Sequence, residues 1–169
     1  MTTTGETLVR GKLEVTIEGD ATMRRVSLVG RIDESAHLDA LVPTLAAREL
    51  VIDSAGVAFI NSIGVRDWIR LMRGLVDHGT KVVLEACSEP IVSQLNMIPA
   101  ARAGVQIASV HVPYLCDACG LDAAMLVPVD AYGDALRAMK PPTLRCPECG
   151  GAMTLADLPE RYFTFLVDP

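Results

Sequence analysis

Apolar and polar residues alternate at Leu13, Val15 and Ile17, and again at Val26 and Leu28, with Gly19-Asp20 between the two stretches. This period of two predicts a pair of strands joined by a hairpin turn. The spacing then changes. Leu38, Leu41, Val42 and Leu45 fall on one face of a helix, and the apolar run Leu50-Val51-Ile52, closed by Asp53, predicts a buried strand. Gly56 breaks that run and predicts a tight loop before a longer helix, whose stripe is Val65, Trp68, Ile69, Met72, Leu75 and Val76. Asn61 and Ser62 stand where this helix begins, and His78-Gly79 suits its C-terminal cap. Val82-Val83-Leu84 predicts a further strand. Ser88-Glu89-Pro90 opens another helix, lined by Ile91, Val92 and Leu95 and stopped at Pro99, and a last strand runs through Val105, Ile107 and Val110. The order β-β-α-β-α-β-α-β implies an α/β fold, a mixed sheet with helices packed on it.

From His111-Val112-Pro113 onward prolines cluster, helical stripes weaken and four of the five cysteines occur. The pattern divides the chain into a flexible N-terminal tail (1–12), a sheet domain (13–112) and a small cysteine-bearing domain (113–169). The last is too short to build a core without a metal or disulfides. No apolar run approaches the length that crosses a bilayer, and the first residues lack the apolar core of a secretory signal, so the expectation is a cytoplasmic protein without membrane insertion. Net charge is −6, with −2 in residues 1–110 and −4 in 111–169. A nucleic-acid partner requires a basic surface, which this balance does not supply.

Cys116-Asp117-Ala118-Cys119-Gly120 and Cys146-Pro147-Glu148-Cys149-Gly150 are two C-x-x-C-G units. Each turn aims two thiolates at one ion, and the glycine relieves the tight turn. Four sulfurs make a closed tetrahedral site suited to one structural Zn²⁺, with no position left for a reacting water. The second turn, Cys-Pro-x-Cys-Gly, also resembles rubredoxin, which implies iron and electron transfer. That site is ringed by aromatic residues, for which only Tyr114, Tyr132 and the Tyr162, Phe163, Phe165 group are available here. Zinc is therefore expected over iron. Cys87 reads as an ordinary buried thiol.

The element order, together with Asp53-Ser54-Ala55-Gly56-Val57 and Asn61-Ser62-Ile63-Gly64 joined by the apolar Ala58-Phe59-Ile60, resembles the STAS domain of anti-sigma-factor antagonists over roughly residues 8 to 110. The resemblance implies a non-enzymatic regulator whose partner is an anti-sigma factor doubling as a serine kinase. It makes Ser62 the phosphorylatable position and Asn61, Asp53, Gly64 and Arg66 its neighbours on the partner-binding surface. The chain departs from the motif: Asn61 stands where phosphorylated members carry an acid, Ile63 replaces a second serine and Ala55 a hydroxyl. Two readings of Ser62 stay open, a phosphoacceptor and a plain helix cap, and with the second the protein is an unphosphorylated adaptor. The C-terminal Leu158–Leu166 stretch, apolar for a terminus, is expected to fold back onto the rest of the chain.

Overall fold

The computed structural model describes residues 5–167. Its first sheet has six strands in the order β1 (Glu6–Arg10), β2 (Leu13–Gly19), β3 (Met23–Ile32), β4 (Glu49–Ile60), β5 (Lys81–Glu85) and β6 (Gln106–Ile107). The first three form an antiparallel meander, and β3 to β6 run parallel to one another. Parallel neighbours need crossovers, supplied here by α1 (Val42–Leu45) after a 3-10 turn at Leu38–Leu41, by α2 (Ser62–Asp77) and by α3 (Glu89–Met97). Because the crossovers step in one direction along the sheet with one hand, all three pack on the same face. That face buries Leu13, Val15, Val26, Leu28, Leu50 and Ile52 against Trp68, Leu71, Met72 and Leu75 of α2, all at most 2 % exposed. The mixed α/β sheet with helices packed on it, expected from the pattern, is the observed fold.

Four expectations are corrected. The segment 1–12 is not all tail: Glu6–Arg10 pairs with β2 from Glu6↔Ile17 to Arg10↔Leu13, while residues 1–4 lie outside the described part. Gly56 makes no loop. β4 runs straight through it, and the misfit with β3 is absorbed by register shifts between Ser27 and Val29 and between Gly30 and Arg31. A Cβ at Gly56 would stand 2.7 Å from Val29 Cγ2 and 2.9 Å from the Leu28 oxygen, so the glycine serves close strand approach. The strand expected through Val105, Ile107 and Val110 is two strands in two sheets. Finally, the second sheet begins at Ser109, inside the span assigned to the first domain, with β7 (Ser109–Cys116).

With β8 (Asp122–Pro128), β9 (Leu144–Arg145) and β10 (Ala152–Leu155), β7 forms an antiparallel sheet of order β8-β7-β10-β9. β7 grows from the edge of the first sheet: Ala108 N–H donates to Leu84 O (2.8 Å), Cys87 N–H to Ser109 O (3.2 Å) and His111 N–H to Cys87 O (2.8 Å). α4 (Val129–Arg137) follows β8, and α5 (Pro159–Tyr162) with a 3-10 turn at Thr164–Leu166 closes the described chain. The terminal stretch folds back as expected, onto α3. Asn96 donates to Tyr162 O (2.8 Å) and accepts from the Phe165 N–H (2.9 Å), and Phe163 is fully buried. Val110, Val112, Tyr114 and Phe163 belong to the same continuous core as Trp68 and Ile52. No helix among the described residues is long and apolar enough to cross a membrane.

Candidate functional site

Two places concentrate chemistry. The first lies where the hairpins of the second sheet turn. Each C-x-x-C-G unit is the loop of one hairpin, β7–β8 or β9–β10, and the two loops repeat one backbone pattern. Gly120 N–H donates to Cys116 O (3.0 Å) and Cys116 N–H to Leu121 O (2.8 Å); Gly150 N–H donates to Cys146 O (2.9 Å) and Cys146 N–H to Gly151 O (2.8 Å). Both turns require a left-handed residue, met by Gly120 at φ 78° and Gly150 at φ 74°. The Met153↔Cys116 pairing of β10 with β7 brings the loops together.

The four sulfurs then lie within 4.8 Å of one another, with Cys116 and Cys149 at 3.5 Å and Cys119 and Cys146 at 3.7 Å. Thiolates bound tetrahedrally at about 2.3 Å stand about 3.8 Å apart, so the cage has the size a metal ion needs. Its electrostatics agree. The Cys119 and Ala118 N–H groups and the adjacent thiols pull the Cys116 thiol down to about 6. At Cys119 the Leu121 N–H favours the thiolate, but the neighbouring Cys116, Cys149 and Cys146 sulfurs together push it up to about 12. A cluster that ionises one sulfur easily and resists ionising the next is relieved by a cation at its centre. Gly151, absent from the sequence expectations, is part of the cage: a Cβ there would meet Ala118 Cβ at 2.8 Å and Cys149 Sγ at 3.2 Å. Cys87 is apart from this cluster and fully buried, its thiol pushed up to about 12 by burial.

The second place is the start of α2. Asn61, not Ser62, is the N-cap; its side-chain oxygen accepts from the Gly64 N–H at 2.8 Å. A cap of this kind contributes ~1 kcal/mol. Ser62 is therefore the first helical residue, exposed and outside the capping bond. The other half of the Asn61 amide donates to Glu34 Oε2 at 2.8 Å. Glu34's own backbone N–H and, after it, that contact hold its carboxyl below the usual range. Glu34 was missed by sequence reasoning because it lies 27 residues away on the loop after β3, with no local signal. Beside Ser62 a shallow groove of about 270 Å³ runs between α2 and α3, lined by Ile60, Asn61, Ser62, Val65, Gln94 and Ile98. Ile63 and Phe59 are exposed, the latter with the Arg31 guanidinium 3.9 Å from its ring centroid.

The other residues expected at this face divide. Arg66 is on it, but its guanidinium is held by Asp67 Oδ1 at 2.9 and 3.0 Å, and Asp67 itself is buried. Gly64 is buried and lies under the surface: its role is contact between α2 and the end of β3. Asp53 is elsewhere. It is seven residues before the end of β4, roughly 20 Å along the strand, on the face opposite the helices, where Arg25 reaches both it (3.6 Å) and Glu85 (2.9 Å).

No protein-family model and no curated protein sequence matches the chain. Among solved structures it is similar to an anti-sigma factor antagonist from Mycobacterium paratuberculosis, at 24% sequence identity over 49% of this chain and 69% of that chain, with a TM-score of 0.34. The topology described above is a mixed α/β sheet, a meander running into parallel strands with every crossover helix on one face, joined to a second sheet whose hairpin turns bring four cysteines together.

Proposed function

We propose that this protein is a non-enzymatic regulator that binds a protein partner through the face at the start of α2, that phosphorylation of Ser62 switches the binding, and that the cysteine cage holds one structural Zn²⁺. The observation that carries the reading is the position of Ser62: exposed, first in a 16-residue helix and free of the cap, beside a groove whose lining includes Ile60, Val65 and Ile98. A partner kinase of the anti-sigma class would transfer the γ-phosphoryl group of ATP. The Ser62 oxygen forms the new P–O bond, ADP leaves, and the hydroxyl proton passes to the kinase's base. The product adds about −1.5 to −2 charges at a helix N-terminus, where backbone N–H groups and the helix dipole accept it without unfolding the domain. Glu34 supplies on the neighbouring loop the acid that position 61 lacks. Phosphate and Glu34 together then present a concentrated negative face that repels an acidic or close-packed partner.

Ser62→Asp is expected to weaken the partner recovered by co-purification from the native host at least tenfold, with a thermal midpoint close to that of wild type, while Ser62→Ala binds normally. Phosphosite mapping of the co-purified protein supplies the independent check. Equal affinity of the wild type and Ser62→Asp would exclude the switch and leave a constitutive adaptor.

For the metal, the donor set and the aromatic placement both favour zinc. Tyr162, Phe163 and Phe165 pack toward α3, whereas a rubredoxin-like iron site would need all of the available aromatic residues to build its ring. The purified protein is expected to be colourless, with one zinc per chain by elemental analysis. A visible thiolate-to-iron absorption band with stoichiometric iron would replace this reading with electron transfer.

A further inference from the structure

We infer that the protein self-associates into a two-fold dimer by antiparallel pairing of its β8 strands, joining two second sheets into one continuous sheet. Sheet edges are templates for further strands unless they are short, charged or covered. Among the described strands that end a sheet, β6 and β9 have two residues each, and β1 carries Glu6 and Arg10 at its ends. β8 differs. It has seven residues, DAAMLVP, uncharged after Asp122, and it is the terminal strand of its sheet.

The direction of its backbone groups follows from the ladder with β7. Cys116 N–H donates to Leu121 O and Val129 N–H to Ala108 O, one bond at each end of the paired stretch. Antiparallel pairing alternates, so the odd-numbered residues of β8 turn their N–H and C=O toward β7. Asp122, Ala124, Leu126 and Pro128 turn theirs outward. A second copy in the register that overlaps all of β8 places Met125 opposite itself, Ala124 opposite Leu126 and Asp122 opposite Pro128.

That register is self-complementary. Proline, which has no N–H to give, falls at the end of the ladder, where its carbonyl still accepts from Asp122. The acid faces no like charge, and about six backbone hydrogen bonds form. The side chains agree: Leu126 is 51% exposed and Met125 only partly buried, so β8 leaves apolar surface on both faces that the second copy covers. The buried area is that of a strand edge and not of an obligate interface, so the dimer is expected to be weak, in the micromolar range.

Sedimentation equilibrium of the full-length, metal-loaded protein from micromolar to submillimolar concentration tests this directly. The wild type should show a reversible monomer–dimer equilibrium. Ala124→Pro removes an N–H that β7 does not use, and Leu126→Lys adds a charge while keeping every backbone group. Each should shift the equilibrium at least tenfold toward monomer with little change in melting temperature. Under mild oxidation Met125→Cys should form an intermolecular disulfide, because residue 125 meets its own copy in a narrow, non-hydrogen-bonded pair, whereas Ala123→Cys should not. A wild type that stays monomeric throughout overturns the proposal. So does a dimer unaffected by both edge variants, which would place the interface elsewhere.

Discussion

Replacing Cys146 by serine is expected to release the metal and lower the melting temperature by about 10–15 °C, in a single transition that Trp68 fluorescence also reports. The size follows from what the cage holds. β9 has two residues and β10 four, so these strands cannot stand without the loop that joins them, and that loop is the second C-x-x-C-G turn. Losing one of four ligands leaves three thiols packed within a few ångströms and no cation to balance them. A structural zinc site contributes several kcal/mol to folding, and 1 kcal/mol corresponds to about 2–4 °C for a chain of this size. The loss should not stay local. Val110, Val112 and Tyr114 of β7 are fully buried in the core that also contains Trp68, and the Tyr162–Phe165 stretch ties the chain's end to α3 through Asn96. Disordering the second sheet therefore uncovers the first. Glu148→Gln, an exposed change inside the same turn, should leave the transition in place and serves as the control. A Cys146→Ser protein that melts with the wild type would show that the cage has no structural role. A separate low-temperature transition invisible to Trp68 would show that the two sheets fold independently.

The sequence spoke most clearly where one period held over many residues. The α2 stripe was legible because Val65, Trp68, Met72 and Leu75 all reach the core. The cage was legible because its spacing alone prescribes convergence. What escaped depends on distant partners. β1 has only Leu8 and Arg10 partly buried, and its strand character comes from the five pairings it makes with β2. Gly56 looked like a loop because glycine punctuates most patterns, yet here it marks the point where β3 and β4 slip in register. Glu34 escaped because only the fold brings it to the Asn61 amide. α4 was missed because Gly133 interrupts a short helix that takes its place from Val129 and Leu136 packing inward. Asp53 was placed by motif adjacency, but motif neighbours separated by an extended strand end far apart.

Gly64→Ala is expected to destabilise the protein by about 2–3 kcal/mol, against the intrinsic preference of a helix for alanine over glycine, which is worth up to about 1 kcal/mol in the opposite direction. The sign is decided by what lies over the glycine. A Cβ there would stand 2.3 Å from the Ile32 oxygen and 2.9 Å from its carbonyl carbon. That carbonyl is backbone and already accepts the Asn61 N–H at 3.1 Å, so it cannot swing aside without breaking the bond that docks the start of α2 on the end of β3. Gly74, in the same helix, gives the contrast. Its added Cβ would meet the Val42 Cγ2 methyl at 2.7 Å, a side-chain atom that a rotamer change can move, so Gly74→Ala should fall within about 1 kcal/mol of wild type. The functional consequence separates the two as well. Lifting the first turn of α2 displaces Asn61 from Glu34 and re-aims Ser62, so Gly64→Ala should lose partner binding even at temperatures where it is fully folded, and Gly74→Ala should keep it. Denaturant unfolding of both variants, with binding measured below the melting range, decides the matter. A Gly64→Ala protein as stable as the wild type would mean that α2 is free to shift on the sheet, and the face built at its N-terminus would lose the rigidity on which a charge switch at Ser62 depends.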